Sequence, residues 1–151
     1  MVATIAAVGF GSCKKVETGY LSDNIRYASN PVTVEQGVFV ITQGIIPDAS
    51  TPPFKITLLD IRNKETGKRE EAFYKDYNVT VWKQPYNPKT DTTLALITAK
   101  QGIEKKAAFS VLEKSGQFLF TQATDSIPAG DYLVDIRVEN PRGVKTYEGV
   151  T

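Results

Sequence analysis

From Val32 onward the apolar residues come in short runs of period two, separated by Gly, Pro, Asn and Asp. Period two is the signature of strands that bury one face. Val38 and Val40 alternate with Phe39 and Ile41, which predicts a strand in a sheet core. Phe54, Ile56 and Leu58 share one face, but Leu59 and Ile61 carry the apolar positions afterwards. Such a change of parity inside a strand is what a β-bulge produces, so a bulge is expected near Leu58–Leu59. Further strands are expected over Asn78–Lys83, Ala107–Leu112 and Phe118–Phe120, the last two forming a hairpin about Glu113–Gly116. Ile127-Pro-Ala-Gly-Asp-Tyr132 leads into a strand carrying Val134, Ile136 and Val138. Asn140-Pro-Arg-Gly143 then turns the chain into a closing strand over Val144–Val150. Asp91–Lys100 is the one helical candidate, with Asp91 as its cap.

About seven strands at this spacing, with turn signals between them, predict an all-β fold: an immunoglobulin-like antiparallel β-sandwich with one short helix. Tyr132 sits where a tyrosine corner would return its hydroxyl to upstream backbone. Asp60-Ile-Arg62 and Asp135-Ile-Arg137 repeat one tripeptide on two strands. If those strands pair, Asp60 is expected to face Arg137, and Arg62 to face Asp135.

Composition narrows the function. The chain has 151 residues, 41% hydrophobic and 23% charged, with a net charge of +1. That is the balance of a globular domain, and a nucleic-acid binder would normally be far more basic. There is no histidine and one cysteine. The commonest general base and the commonest metal ligand are therefore missing, and neither a Ser-His nor a Cys-His pair can form. No metal site, cofactor site or catalytic residue is expected. Glu70 and Glu71 are adjacent in a charged turn, so they would point apart rather than act as the paired acids of a carboxylate-only hydrolase.

The first residues, MVATIAAVGFGSC, are small and apolar with no charge, and Lys14 and Lys15 follow. The run is too short to span a bilayer and suits the core of an export signal. Its Gly-Ser-Cys end resembles the lipobox of bacterial lipoproteins. The resemblance implies a signal peptide over residues 1–12, lipid attachment at Cys13, a tether over 13–30 and a sandwich domain over 31–151. Tyr20, Leu21, Ile25 and Tyr27 argue that part of the tether docks. The alternative is that Val2–Phe10 is a buried strand and Cys13 an inert core thiol.

An aromatic cluster is the remaining candidate for chemistry: Tyr74, Tyr77, Trp82 and Tyr86, with Phe73 beside them. Exposed rings among polar side chains can stack on sugar faces, which makes these four residues the candidate glycan-binding set. A lone tryptophan in a small sandwich is more often core, so Trp82 is expected to point inward.

Together, Gly-Ser-Cys-Lys-Lys, the segment Gly19-Tyr-Leu-Ser-Asp-Asn-Ile-Arg-Tyr27 and the sandwich pattern resemble uncharacterised surface lipoproteins of Bacteroidetes. Many of these are found near SusC/SusD-type glycan uptake systems. The resemblance implies a lipid anchor in the outer membrane, no catalytic residue, and work as a spacer or docking module. Its partners would be the membrane and either a glycan or an outer-membrane protein complex.

Overall fold

The computed structural model describes residues 19–151. Among these described residues, eight strands form three antiparallel sheets. One sheet holds β2 (Lys55–Asn63), β7 (Tyr132–Asn140) and β8 (Gly143–Tyr147), with β7 in the middle. A second holds β1 (Val40–Ile41), β6 (Phe118–Phe120) and β5 (Phe109–Val111), with β6 in the middle. The third is a separate hairpin of β3 (Asp76–Trp82) and β4 (Gln101–Ala107). Its two strands are joined by a long loop and the helix α1 (Leu94–Ala99).

The first two sheets face each other across one core, as the sandwich pattern predicts. Ile56, Ile61, Val134, Ile136 and Val138 meet Phe109 and Phe118 from the opposite sheet. The change of parity in β2 is a true bulge: the register against β7 shifts between Leu58 and Asp60. It allows Ile56 and Ile61, five positions apart in sequence, both to turn inward, where they are almost wholly covered. The β5–β6 and β7–β8 hairpins also form as the sequence predicts. Tyr132 donates its hydroxyl to the Pro128 carbonyl at 2.6 Å, while its ring packs edge-on against Phe73 at 4.9 Å. This is the corner expected of it.

Four local expectations are corrected. Val38, Phe39 and Ile41 are exposed rather than central, because β1 is a two-residue edge strand paired only with β6. The helix begins at Leu94 and is capped by Thr93, since the Asp91 side chain is engaged elsewhere. The closing strand stops at Tyr147; Gly149, at φ +56°, breaks it before Val150 resumes pairing with Val134. Asp60 lies opposite Asp135, and Arg137 lies opposite Thr57. Arg62 sits diagonally across and still reaches Asp135 at 2.8 Å, placing its cation beside two neighbouring carboxylates. Arg137 instead pairs with Glu139 on its own strand.

Part of the expected tether belongs to the body. Ile25 and Tyr27 are buried in the main core, and Arg26 bridges to Ile46. The Tyr27 hydroxyl donates to the Gly116 carbonyl at 2.6 Å, and burial pushes its pKa well above the usual tyrosine value. The Tyr147 hydroxyl donates to the Ser22 carbonyl, and the Ser22 amide to Ser50 Oγ. A free linker does not describe residues 19–30. The proposed signal peptide and Cys13 lie outside the described residues.

Candidate functional site

The β3–β4 hairpin packs on the body through one face of β3. Val79 makes a small second core with Ala108, Ala123 and Ile127, against the one-turn 3-10 helix Gln122–Ser126. Alternation then decides every side chain on β3. Tyr77, Val79 and Val81 turn toward the body, while Asn78, Thr80 and Trp82 turn away. The expectation that Trp82 points inward is therefore corrected: it is 51% exposed. Period two shows which residues share a face, but the contact of Val79 with Ala123 and Ile127 decides which face is covered.

Beyond Trp82 the chain enters the loop that carries Tyr86, itself 52% exposed. The two rings stand 6.0 Å apart at 52°, an open V rather than a flat shelf. Across the hairpin, Trp82 pairs with Gln101, and Thr80 with Ile103. Ile103, on the same outward face as the Trp82 ring, is 71% exposed, and Leu94 on α1 is 78% exposed. The hairpin thus ends in large apolar side chains that its own fold does not cover. Such residues isolated on a surface are ordinary, but a Trp–Tyr pair beside an exposed isoleucine has the composition of a contact surface.

The other two members of the sequence-derived set serve the fold. Tyr77 donates its hydroxyl to the Ala72 carbonyl at 2.9 Å, on the face opposite Trp82. Tyr74 lies under the Arg69 guanidinium, which sits 3.7 Å from its ring centre. Its hydroxyl accepts from the Ile61 amide and donates to Asp60. Of the four aromatic candidates, the structure brings together Trp82 and Tyr86. Glu70 caps the 3-10 turn Glu71–Tyr74 through the Ala72 amide, and Glu71 pairs with Arg69, so each acid has a local partner.

What fixes the Tyr86 loop is a latch read from the sequence as a helix cap. Asp91 is buried; its carboxylate accepts from Lys100 Nζ at 2.7 Å and from the Asn87 amide at 2.6 Å. Lys100 Nζ also donates to the Pro85 carbonyl at 3.1 Å, so one cation ties both sides of Tyr86. The Lys100 hydrogen bond, and then that from Asn87, hold the Asp91 carboxyl below the usual carboxylate range. A depressed folded-state pKa contributes stability above the unfolded value of 3.8, which is lost as pH falls through the folded one. Acidification through that depressed value, below the ordinary carboxylate range, is therefore expected to release the loop. Asp91→Ala is expected to release it at neutral pH, changing Trp82 emission in the same direction while the main unfolding transition stays in place. An unchanged spectrum in Asp91→Ala refutes the latch.

Among the described residues no cluster of three or more His, Cys, Asp or Glu side chains could hold a metal ion, and no helix is long and apolar enough to cross a membrane. Residues 48–151, which include both sheets' main strands and the entire β3–β4 hairpin, match the family model described as a domain of unknown function, DUF5007. No curated protein and no solved structure matches the chain.

Proposed function

The chain belongs to the DUF5007 family, and from that premise we propose that it is a non-catalytic, lipid-anchored surface module that docks partner domains or proteins through the tip of the β3–β4 hairpin. The observation that carries this reading is the Trp82–Tyr86 pair: two half-exposed rings, 6.0 Å apart, at the end of β3 and on its outward side. Tryptophan and tyrosine are the residues most often found to dominate binding energy at protein interfaces, because they bury large area with few rotatable bonds. A loop latched by Asp91 and Lys100 presents Tyr86 already ordered, which lowers the entropic cost of association. The absence of histidine supports a non-catalytic role, Gly11-Ser12-Cys13 supports lipid attachment at Cys13, and the resemblance to surface lipoproteins of Bacteroidetes supports an outer-membrane address.

Two measurements test the two halves. Fatty-acid labelling in cells should disappear in Cys13→Ala; undiminished incorporation removes the anchor. Affinity capture from intact cells should recover a defined partner with the native chain and lose it with Trp82→Ala/Tyr86→Ala. A truncated hot-spot ring is expected to weaken such a contact by about 2 kcal/mol or more. Equal recovery by both forms refutes the hairpin as the docking surface.

A second reading, carbohydrate binding, is favoured by the same exposed pair, since a V of two rings can grip one pyranose face. Titrating Trp82 fluorescence with a panel of polysaccharides separates the readings. Saturable quenching lost in Tyr86→Ala supports glycan binding, and a flat response across the panel removes it.

A further inference from the structure

The sandwich is not filled at one edge. Between its two facing sheets lies a cavity of about 560 Å³. Half-buried Phe120 on one sheet, Tyr132 on the other and Phe73 between them form its aromatic wall, and Phe109, Phe118, Ile61 and Val134 lie behind that wall, almost wholly covered. A well-packed interior has few voids larger than a water molecule. This one falls in the 300–1,000 Å³ range typical of ligand sites.

The chain from Asn30 to Gln36 crosses the mouth as a strap. It is pinned at both ends: the Val32 amide donates to Thr151 Oγ1 at 3.1 Å, and Gln36 Nε2 donates to the Ile127 carbonyl at 2.6 Å. The Gly37 amide adds a bond to Thr124 Oγ1 at 2.9 Å. Between these pins the amides of Thr33, Val34 and Glu35 donate to no group among the described residues. A second cavity of about 370 Å³ shares Pro31, Val32 and Thr33 with the first, so the strap is loosely packed along this stretch. Entry past it disturbs no sheet hydrogen bond.

The wall chemistry selects the occupant. Among the described residues, the only buried side-chain nitrogens or oxygens without a partner are the Nε atoms of Arg62 and Arg137, and neither residue lines this cavity. Thr124 on the wall is satisfied by Gly37 and Thr121. No side chain on the inner wall is therefore free to compensate a buried charge, and the unpaired donors are the strap amides at the mouth. The charged residues Glu35, Lys64 and Asp131 stand at the exposed rim, none of them in an ion pair among the described residues.

We propose that the space between the sheets, beneath the Asn30–Gln36 strap, is a binding site for an uncharged, hydrocarbon-rich small molecule. The apolar body seats against Phe73, Phe120 and Tyr132, and any polar end stays at the rim. This site is separate from the hairpin tip and stands or falls independently of it.

Titration of the full chain with N-phenyl-1-naphthylamine, a neutral apolar dye, tests the assignment. Dye emission is expected to rise and saturate at one molecule per folded chain, and to be lost in urea. Val34→Trp places an indole into the cavity from the strap and is expected to weaken binding by about tenfold or more. Its thermal transition is expected to remain cooperative. Ala129→Trp, from the opposite rim, carries the same test should Val34→Trp fail to fold. Trp82→Ala is expected to leave dye binding unchanged. No saturable signal, or equal affinity in the filled variants, overturns the proposal.

Discussion

Phe118→Ala is expected to lower the unfolding free energy by about 3–5 kcal/mol, the upper part of the range for large-to-small core substitutions. Phe118 is completely covered, and its ring lies 4.2 Å from Tyr27 and 5.1 Å from Phe109. It therefore joins three parts of the chain: the central strand β6, strand β5 and the N-terminal segment around Tyr27. The site has little means of repair, because Phe118 already borders the inter-sheet cavity and its removal enlarges that space. Urea unfolding measured by circular dichroism is the check, with a fall in Tm of roughly 10 °C or more expected in parallel. Phe120, only half-buried on the same strand, should cost less when truncated. Equal losses at the two positions would contradict the account of Phe118 as the keystone.

The second large effect is expected at Gly116, the turn residue of the β5–β6 hairpin. Its φ of +69° lies in the left-handed region that disfavours a side chain. A Cβ there would meet Ile45 Cγ2 at 2.8 Å and Ile56 Cδ1 at 3.0 Å. Backbone strain and overpacking act together, so Gly116→Ala should cost about 2–4 kcal/mol. The same substitution would also press on the Tyr27 hydroxyl, which bonds the Gly116 carbonyl. Gly67 provides the control: its φ is +67°, but a Cβ there meets nothing within 4 Å. Gly67→Ala should therefore cost only the strain, about 1 kcal/mol. Parallel denaturant curves separate the two contributions, and similar midpoints for both variants would refute the steric half.

Much of this architecture is legible from alternation alone. The β5–β6 and β7–β8 hairpins, the bulge in β2 and the Tyr132 corner each follow from local spacing and turn chemistry. What alternation lacks is any statement about the third dimension. It paired Asp60 with Arg137, whereas hydrophobic fit between β2 and β7 sets a register two residues away, and Arg62 reaches Asp135 only diagonally. It placed Val38 to Ile41 inside, because nothing local distinguishes an edge strand from a central one. The N-terminal segment is legible in part: Ile25 and Tyr27 signal docking and are buried, but its polar residues hide how far the docking extends. Ser22, Asp23 and Asn24 look like linker, yet Ser22 is buried by bonds to Asp48, Ser50 and Tyr147 far along the chain. Asp91 has an ordinary capping composition until Lys100 folds back upon it. At the candidate site, Tyr74 and Tyr77 carry the same sequence signal as Trp82 and Tyr86, and only their hydroxyl partners reveal that they brace the fold.

The β3–β4 hairpin hydrogen-bonds to no other strand among the described residues, and its second core stops at Val79 and its half-buried neighbours. From Lys83 to Lys100, amino-acid replacements touch neither hydrophobic centre, provided the Asp91–Lys100 clasp survives. Selection can therefore retarget the tip at almost no cost to folding, much as an interchangeable tool head is swapped on a fixed handle.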